Sequence, residues 1–338
     1  MNVLIDTDVD FDDYMAMLYL LLHPEVNVVG ISVTGTGDAH LSHGLHNVSN
    51  MLSLTGKAAD LHIPVVKGFN APMRYSNTFP GEEREAADNH YDTPFPHQNM
   101  HRDYIDAIPF LEEYILSASE PVSLLCIGGG TTWGRFLEYA KDKPSLSKAL
   151  KDKISQIIMM GGNLTSEFVE PGAEGNIQPT LSEPPCYSNK VAEWNIFVDP
   201  LGAQTIIESD LNLTLVALNA TQQVPITQTF VDELNQIENN SARFLTQVLN
   251  SQSIKKGIGK YLDFWDPLAA SVITNPQLIQ TQSFRIRVEQ TLNEENDTSG
   301  QILVDHNNGS SVNIALSADA DATYCNYLNT INSDTVTK

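Results

Sequence analysis

Short runs of β-branched and other apolar residues alternate along the chain with longer runs of helical period. Residues 3–5, 28–34, 63–66, 122–126, 154–160, 195–198 and 213–218 read as strands. Residues 12–22, 41–54, 109–119, 200–209 and 230–249, with segments beginning at 131 and 267, read as helices. From 283 to 318 apolar and polar letters alternate around turn clusters, the pattern of an antiparallel hairpin. Two stretches carry no period: 70–100 holds Pro72, Pro80, Pro94 and Pro96, and 165–190 holds Pro171, Pro179, Pro184 and Pro185. Both read as long functional loops. Strands alternating with helices predict an α/β fold, and no linker divides the 338 residues. The expectation is a single large domain, a mainly parallel, mixed open sheet flanked by helices.

Composition narrows the partners. The chain has 19 Lys+Arg against 42 Asp+Glu, a formal charge of -23, and no basic patch. A surface of that sign repels the phosphates on which nucleic-acid affinity rests, which excludes duplex DNA or RNA as a main partner but not a single nucleoside. No apolar run approaches the roughly 18 residues of a membrane span. The start, Met1-Asn2-Val3-Leu4-Ile5-Asp6, has no basic region before an apolar one, so the expectation is a soluble cytoplasmic protein. Cys126, Cys186 and Cys325 are odd in number and far apart, as expected of reduced thiols.

The densest chemistry lies at the end of the first strand. Asp6-Thr7-Asp8-Val9-Asp10-Phe11-Asp12-Asp13 places five carboxylates in eight residues between an apolar strand and an apolar helix. A helix cap needs one acid, and the others repel one another unless a cation or shared protons compensate. Hard oxygen donors at this density suit Ca²⁺ or Mg²⁺. An EF-hand loop is excluded, because Phe11 and Met17 stand where it needs Gly and Glu. In part, Asp6-Thr7-Asp8-Val9 resembles the nucleophile loop of haloacid-dehalogenase-like phosphatases, which would make Asp6 the nucleophile and Asp8 the acid.

A second resemblance covers residues 2–275. Asp6, Asp8, Asp12 and Asp13 in the pattern Asp-x-Asp-x-x-x-Asp-Asp are followed by Thr36-Gly37-Asp38 with Asn47 nine residues on, and by Gly128-Gly129-Gly130 after a strand. Met160-Gly161-Gly162 with Gly175-Asn176 comes next, then Ala192-Glu193-Trp194-Asn195-Ile196-Phe197-Val198-Asp199-Pro200 and Trp265-Asp266-Pro267. In this order the motifs resemble the nucleoside hydrolases, which cleave the N-glycosidic bond of ribonucleosides. The resemblance implies Asp8 as general base and metal ligand, with Asp13, Asp266 and the backbone carbonyl of Ile127 completing the protein's hold on a Ca²⁺. It also implies that Asp12, Asn176, Glu193 and Asn195 grip the ribose, with Asp38 in support. Such a grip suits a reaction whose sugar must distort toward an oxocarbenium-like state.

Base preference turns on the residue before the last metal acid. Here it is Trp265, as in the branch specific for inosine, adenosine and guanosine, and a Trp offers a π-face for stacking but no proton. That branch's second Trp falls on Glu83 of Phe79-Pro80-Gly81-Glu82-Glu83-Arg84, leaving Phe79, Tyr91 or Phe95 to supply a second face. Asn189 is a spare candidate for Asn176. The resemblance thus implies a purine ribonucleosidase in a salvage role, acting as a homo-oligomer, a dimer by preference. A nucleoside- or sugar-binding protein that has kept the pocket and lost turnover is the alternative. His43 and His46, three apart on the second helix, read as ordinary surface. Gly128-Gly129-Gly130 reads as a tight turn, since it lacks the Lys of a phosphate-binding loop. The basic run Lys255-Lys256-Gly257-Ile258-Gly259-Lys260 reads as a lid or a solvated loop.

Overall fold

A computed structural model describes residues 1–57, 59–96, 103–177, 187–293 and 295–333. Parts of both long loops, 97–102 and 178–186, and with them Cys186, lie outside the described residues. In chain order the strands are β1 Asn2–Thr7, β2 Asn27–Val33, β3 Val65–Lys67, β4 Ile105–Asp106, β5 Val122–Cys126, β6 Ile154–Met160, β7 Leu213–Val216, β8 Ile279–Val288, β9 Ile302–Val304 and β10 Ser310–Ala318. The helices up to residue 198 are α1 Phe11–Leu22, α2 Leu41–Met51, α3 Gly81–Asp88, α4 Ala107–Ser117, α5 Thr131–Lys141, α6 Pro144–Lys153 and α7 Trp194–Val198. Beyond it come α8 Pro200–Ile207, α9 Leu218–Thr221, α10 Gln228–Leu234, α11 Asn240–Leu249, α12 Trp265–Thr274 and α13 Ala320–Asn332.

The strands form one sheet in the order β4-β3-β2-β1-β5-β6-β7-β10-β8-β9. Pairing is parallel from β4 across to β10 and antiparallel where β10 meets β8 and β8 meets β9. From β1 the chain steps outward to β2, β3 and β4, then returns to place β5 on the other side of β1. The carboxyl ends of β1 and β5 therefore flank the topological switch point, where open α/β sheets hold their ligands. Register fixes the two ends side by side, with Asp6 opposite Cys126.

Each face of the sheet carries its own apolar layer. One packs α1, α2, α11, α12 and α13, the other α4, α5, α6 and α8. All twelve residues of α1 are buried, its two acids included. A helix apolar all round belongs in the interior, and α1 lies against α12 and α13, with Tyr327 donating to the Met15 carbonyl at 3.0 Å.

Three expectations are corrected. Residues 195–198 form α7 rather than a strand, because the Glu193 side chain accepts the first free amides of a helix, those of Asn195 and Ile196. The segment 230–249 is two helices, α10 and α11, with Asn239 capping the second through the Ala242 amide. The stretch 70–100 is not wholly irregular, since it contains α3.

Candidate active site

β1 delivers its acids into a loop that the protein holds under strain. Val9 has φ 70°, a left-handed conformation that costs a β-branched residue about 1–3 kcal/mol. The turn is held by Thr7, whose Oγ1 accepts the Val9 amide at 3.1 Å and donates to the Asp13 carboxylate. Asp10 caps α1, and the Asp13 carboxylate accepts the Asp10 amide in return at 2.9 Å. The Tyr91 hydroxyl donates to Asp10, so the loop after α3 closes over the cap.

The crowded carboxylates thereby separate into roles. Asp6 is fully buried and accepts from the Ser32 hydroxyl, with the Cys126 thiol beside its other oxygen at 3.9 Å. An acid enclosed in this way is no nucleophile for a phosphate ester, and the phosphatase reading falls with it. Asp10 is a cap. Asp12 and Asp13 meet Asp266, from the first turn of α12, with one oxygen of each within 4.8 Å of the others. The Asp266 amide donates to Asp12 at 3.2 Å.

Asp8 stands beside this trio. Its carbonyl accepts the Ala39 amide at 2.9 Å, and the nearby Asp38 backbone works against the rise of its carboxyl. The chain from Thr36 to Asp38 crosses so near that a Cβ on Gly37 would lie 1.6 Å from Asp8 Oδ2. On the other side a Cβ on Gly128 would lie 3.1 Å from the Asp8 amide nitrogen, so the turn that begins at Ile127 also touches Asp8. Asp8, Asp12, Asp13, Asp38 and Asp266 are each at most 4% exposed.

Burial is the main reason their carboxyls resist ionisation, and mutual repulsion adds to it. Asp8, Asp12, Asp38 and Asp266 are pushed well above the ordinary range, first by desolvation and then by neighbouring aspartates. Asp13 is raised by burial, with Thr7 and the Asp10 amide working against the rise. Burial lifts Asp6 and Asp10 to about 7. A cation is what would let such a group of acids ionise together. Two oxygens on one Ca²⁺ lie at most about 5 Å apart, since each sits about 2.3–2.6 Å from the ion, and the Asp12, Asp13 and Asp266 trio meets that limit.

The family model "Inosine-uridine preferring nucleoside hydrolase" matches residues 3–325. This chain belongs to that family. Two curated relatives are pyrimidine-specific ribonucleoside hydrolases RihA. The one from Shewanella sp. (strain MR-4) is 25% identical over 313 residues, 90% of this chain and 86% of its own. The one from Klebsiella pneumoniae (strain 342) is 25% identical over 329 residues, 94% of each. A purine-preferring ribonucleoside hydrolase from Gardnerella vaginalis shares the fold with a TM-score of 0.79 at 21% identity, over 99% of both chains. An inosine-uridine preferring enzyme from Bacillus anthracis does so with 0.74 at 21%, over 98% of this chain and 99% of its own.

As a nucleoside hydrolase the chain is a hydrolase of N-glycosyl bonds in ribonucleosides, from a metal-dependent family. Among the described residues no helix is long and apolar enough to cross a membrane.

The remaining sequence-derived residues are held in unequal states. Glu193 is 2% exposed, and its two oxygens accept the amides of Gly162, Asn195 and Ile196 at 2.9, 2.9 and 3.2 Å. Asn176 accepts the Trp194 amide at 3.0 Å, which ties it to the same helix start. Asn195 directs its amide toward the Met160 carbonyl at 3.4 Å. Asn189 accepts two amides and donates to the Ser299 carbonyl, so the spare candidate is a turn residue. Asp199, from the same motif, caps α8 and accepts from Thr131 and the Met73 amide at 2.6 and 2.9 Å. This motif builds a corner of the fold.

Trp265 meets the edge of Phe11 at 6.1 Å between ring centres, and Phe11 meets Tyr91 edge-on at 6.3 Å. The loop aromatics expected opposite Trp265 are engaged elsewhere: Phe79 stacks on Trp194 at 4.4 Å and Phe95 on Phe244 at 4.7 Å. A two-ring sandwich on Trp265 is therefore not formed by the described residues. The basic run is not free either, since Gly259 donates to the Ile226 carbonyl at 2.8 Å and Ile226 to that of Leu262 at 2.8 Å. Arg84 was missed from sequence. From α3 its guanidinium donates to the carbonyls of Asp38 and Gly35 at 3.0 and 2.9 Å and to Thr78 at 2.9 Å, fixing the strip that crosses Asp8. A lone arginine in a proline-rich loop carries no local signal of that role.

Proposed function

We propose that this nucleoside hydrolase uses Asp8 as general base in the Ca²⁺-dependent hydrolysis of purine ribonucleosides to free base and ribose. The observation that carries the reading is the meeting of Asp12, Asp13 and Asp266 within 4.8 Å, with repulsion from Asp12 and Asp13 raising the Asp8 carboxyl and repulsion from Asp8 raising that of Asp266. The donor set fits the ion: Asp8, Asp13 and Asp266 with the Ile127 carbonyl are the proposed ligands, and Asp12 is near enough to join them or turn to the ribose. An all-oxygen donor set of carboxylates and a carbonyl suits Ca²⁺, which takes about six to eight oxygen ligands in flexible geometry. The ion would supply Lewis acidity, making a water easier to deprotonate and orienting it.

Asp8 takes the proton of the attacking water. Its place between the Asp38 backbone and the turn after β5 leaves the carboxylate little freedom to rotate, as a positioned base requires. Water oxygen adds to the anomeric carbon as the C–N bond breaks, and the bonding pair leaves with the base, which is protonated from solvent. Asp12, Asn176 and Asn195 hold ribose hydroxyls. Glu193, with its oxygens already on backbone amides, acts mainly by placing Asn195 and the Met160-Gly161-Gly162 turn. Trp265 stacks on the leaving base, and with one tryptophan face rather than two, the larger purine surface gains most from it.

Ribose release from inosine, adenosine, guanosine, uridine and cytidine, each with Ca²⁺ and with a chelator, tests this. Chelator-sensitive release that is faster for purines is expected. Faster release from pyrimidines, in line with the names of the RihA relatives, would overturn the stacking argument and keep the hydrolase. No release from any of them would overturn the reading.

A further inference from the structure

On the outer side of α2 a second group of metal-type donors comes together. His40 immediately precedes the helix, His43 lies in its first turn, and Asp88 is the last residue of α3. Asp88 Oδ2 is 2.8 Å from His40 Nδ1 and 3.5 Å from His43 Nδ1. Its Oδ1 accepts the His40 backbone amide at 2.8 Å, which orients the carboxylate so that Oδ2 serves both rings. Asn47 fixes the end of α3 from below, donating to the Ala87 and Asp88 carbonyls at 3.2 and 3.0 Å. One ligand atom from each of the three side chains lies within 4.8 Å of the others. The carboxylate is sheltered at 10% exposure, and the imidazoles face solvent at 52% and 57%.

We propose that His40, His43 and Asp88 bind one borderline transition-metal dication, Zn²⁺ being the type, with solvent in the remaining positions. Two imidazoles and a carboxylate favour such an ion over Ca²⁺, which prefers oxygen alone. In a tetrahedral site with bonds of about 2.0–2.2 Å, ligand atoms stand about 3.3–3.6 Å apart. The His43 to Asp88 separation already matches, and the exposed His40 ring would give up its hydrogen bond to Oδ2 to bind the ion. The positive end of α2 opposes a cation here, and the Asp88 charge on that helix end offsets it. Sequence spacing alone pairs His43 with His46. The fold pairs it with His40 instead and adds the third ligand from a segment 45 positions further along the chain. Since Asp88 belongs to α3, which also carries Arg84, the ion joins that helix to α2.

The test uses the full chain with Ca²⁺ in excess to occupy the acidic site. Zn²⁺ is titrated by calorimetry, and Cu²⁺ replaces it for electron paramagnetic resonance, where imidazole nitrogens split the signal and carboxylate oxygens do not. One Zn²⁺ per chain and couplings from two nitrogens are expected. The double variant His40→Ala/His43→Ala is expected to lose the couplings and weaken Zn²⁺ binding by at least about tenfold. His46→Ala, on the same helix, is expected to leave both unchanged and controls for folding. A Cu²⁺ signal without nitrogen coupling, or Zn²⁺ affinity unmoved by the double variant, would overturn the proposal. Neither readout depends on turnover, so failure here and failure of the proposed hydrolysis are distinguishable.

Discussion

Identical side chains in the acidic loop differ in function because their neighbours differ. Asp6 faces a serine and a thiol beneath the sheet end, Asp10 faces an amide and a tyrosine, and Asp8 faces the Asp38 backbone and other acids. The density of charge was legible in the sequence, and with it the need for a cation or shared protons. Which acid does what was not legible, because that is decided by partners such as Ser32 and Tyr91 that lie 26 and 81 positions away from their acids. In the proposed function, base preference rests on Trp265. Stacking of a base on an aromatic ring contributes about 1–3 kcal/mol, so Trp265→Ala is expected to lower kcat/KM for inosine roughly tenfold or more by steady-state kinetics, with a smaller loss for uridine. Equal losses for the two would mean that the ring packs against Phe11 and does not read the base.

Among the elements, those that position the site were legible in proportion to their hydrophobic pattern. β1, β5 and β6 are mostly apolar runs, and sequence places β5 and β6 at the bounds observed. α7 was not legible, because a five-residue helix has too little length to show a period, and Glu193 marks its start only through backbone amides. α3 hides among prolines and glutamates for the same reason, although it carries the Arg84 that braces the strip over Asp8. That strip supplies a sharp prediction. Gly37→Ala introduces a methyl where Asp8 Oδ2 now lies 1.6 Å from its ideal position. Asp8 or the strip must move, and a misplacement of about 1 Å can cost 10²-fold. Activity is expected to drop on the order of 100-fold while circular dichroism stays unchanged, and full activity in this variant would contradict the placement of Asp8.

Across the whole molecule, a net charge of -23 and a buried knot of acids make stability depend on pH and on the ion together. Asp6 and Asp10 are raised by burial from 3.8 to about 7. In the native state they hold protons that the unfolded chain gives up, so the stability linked to those protons is fully present below about pH 4 and is lost as pH rises through about 7. The metal-free protein is therefore expected to show a falling Tm between pH 5 and 8. Added Ca²⁺ is expected to raise Tm more at pH 8 than at pH 5, because the ion binds ionised acids and stabilises only the folded chain. A metal-free Tm that climbs with pH over this range, read by differential scanning calorimetry, would contradict the burial of Asp6 and Asp10 described above.

The central claim is that Asp8, poised beside the acids that hold the ion, is the base that cleaves the ribosyl bond. Its most direct measurement is ribose release from inosine by the Ca²⁺-loaded wild type and by Asp8→Asn, with ribose binding followed in parallel. Turnover by the wild type, a loss of several orders of magnitude in the variant and measurable ribose affinity in both are the predicted results. A wild type that binds ribose but releases none would mark a nucleoside-binding protein. An Asp8→Asn variant that hydrolyses as fast as the wild type would contradict the account.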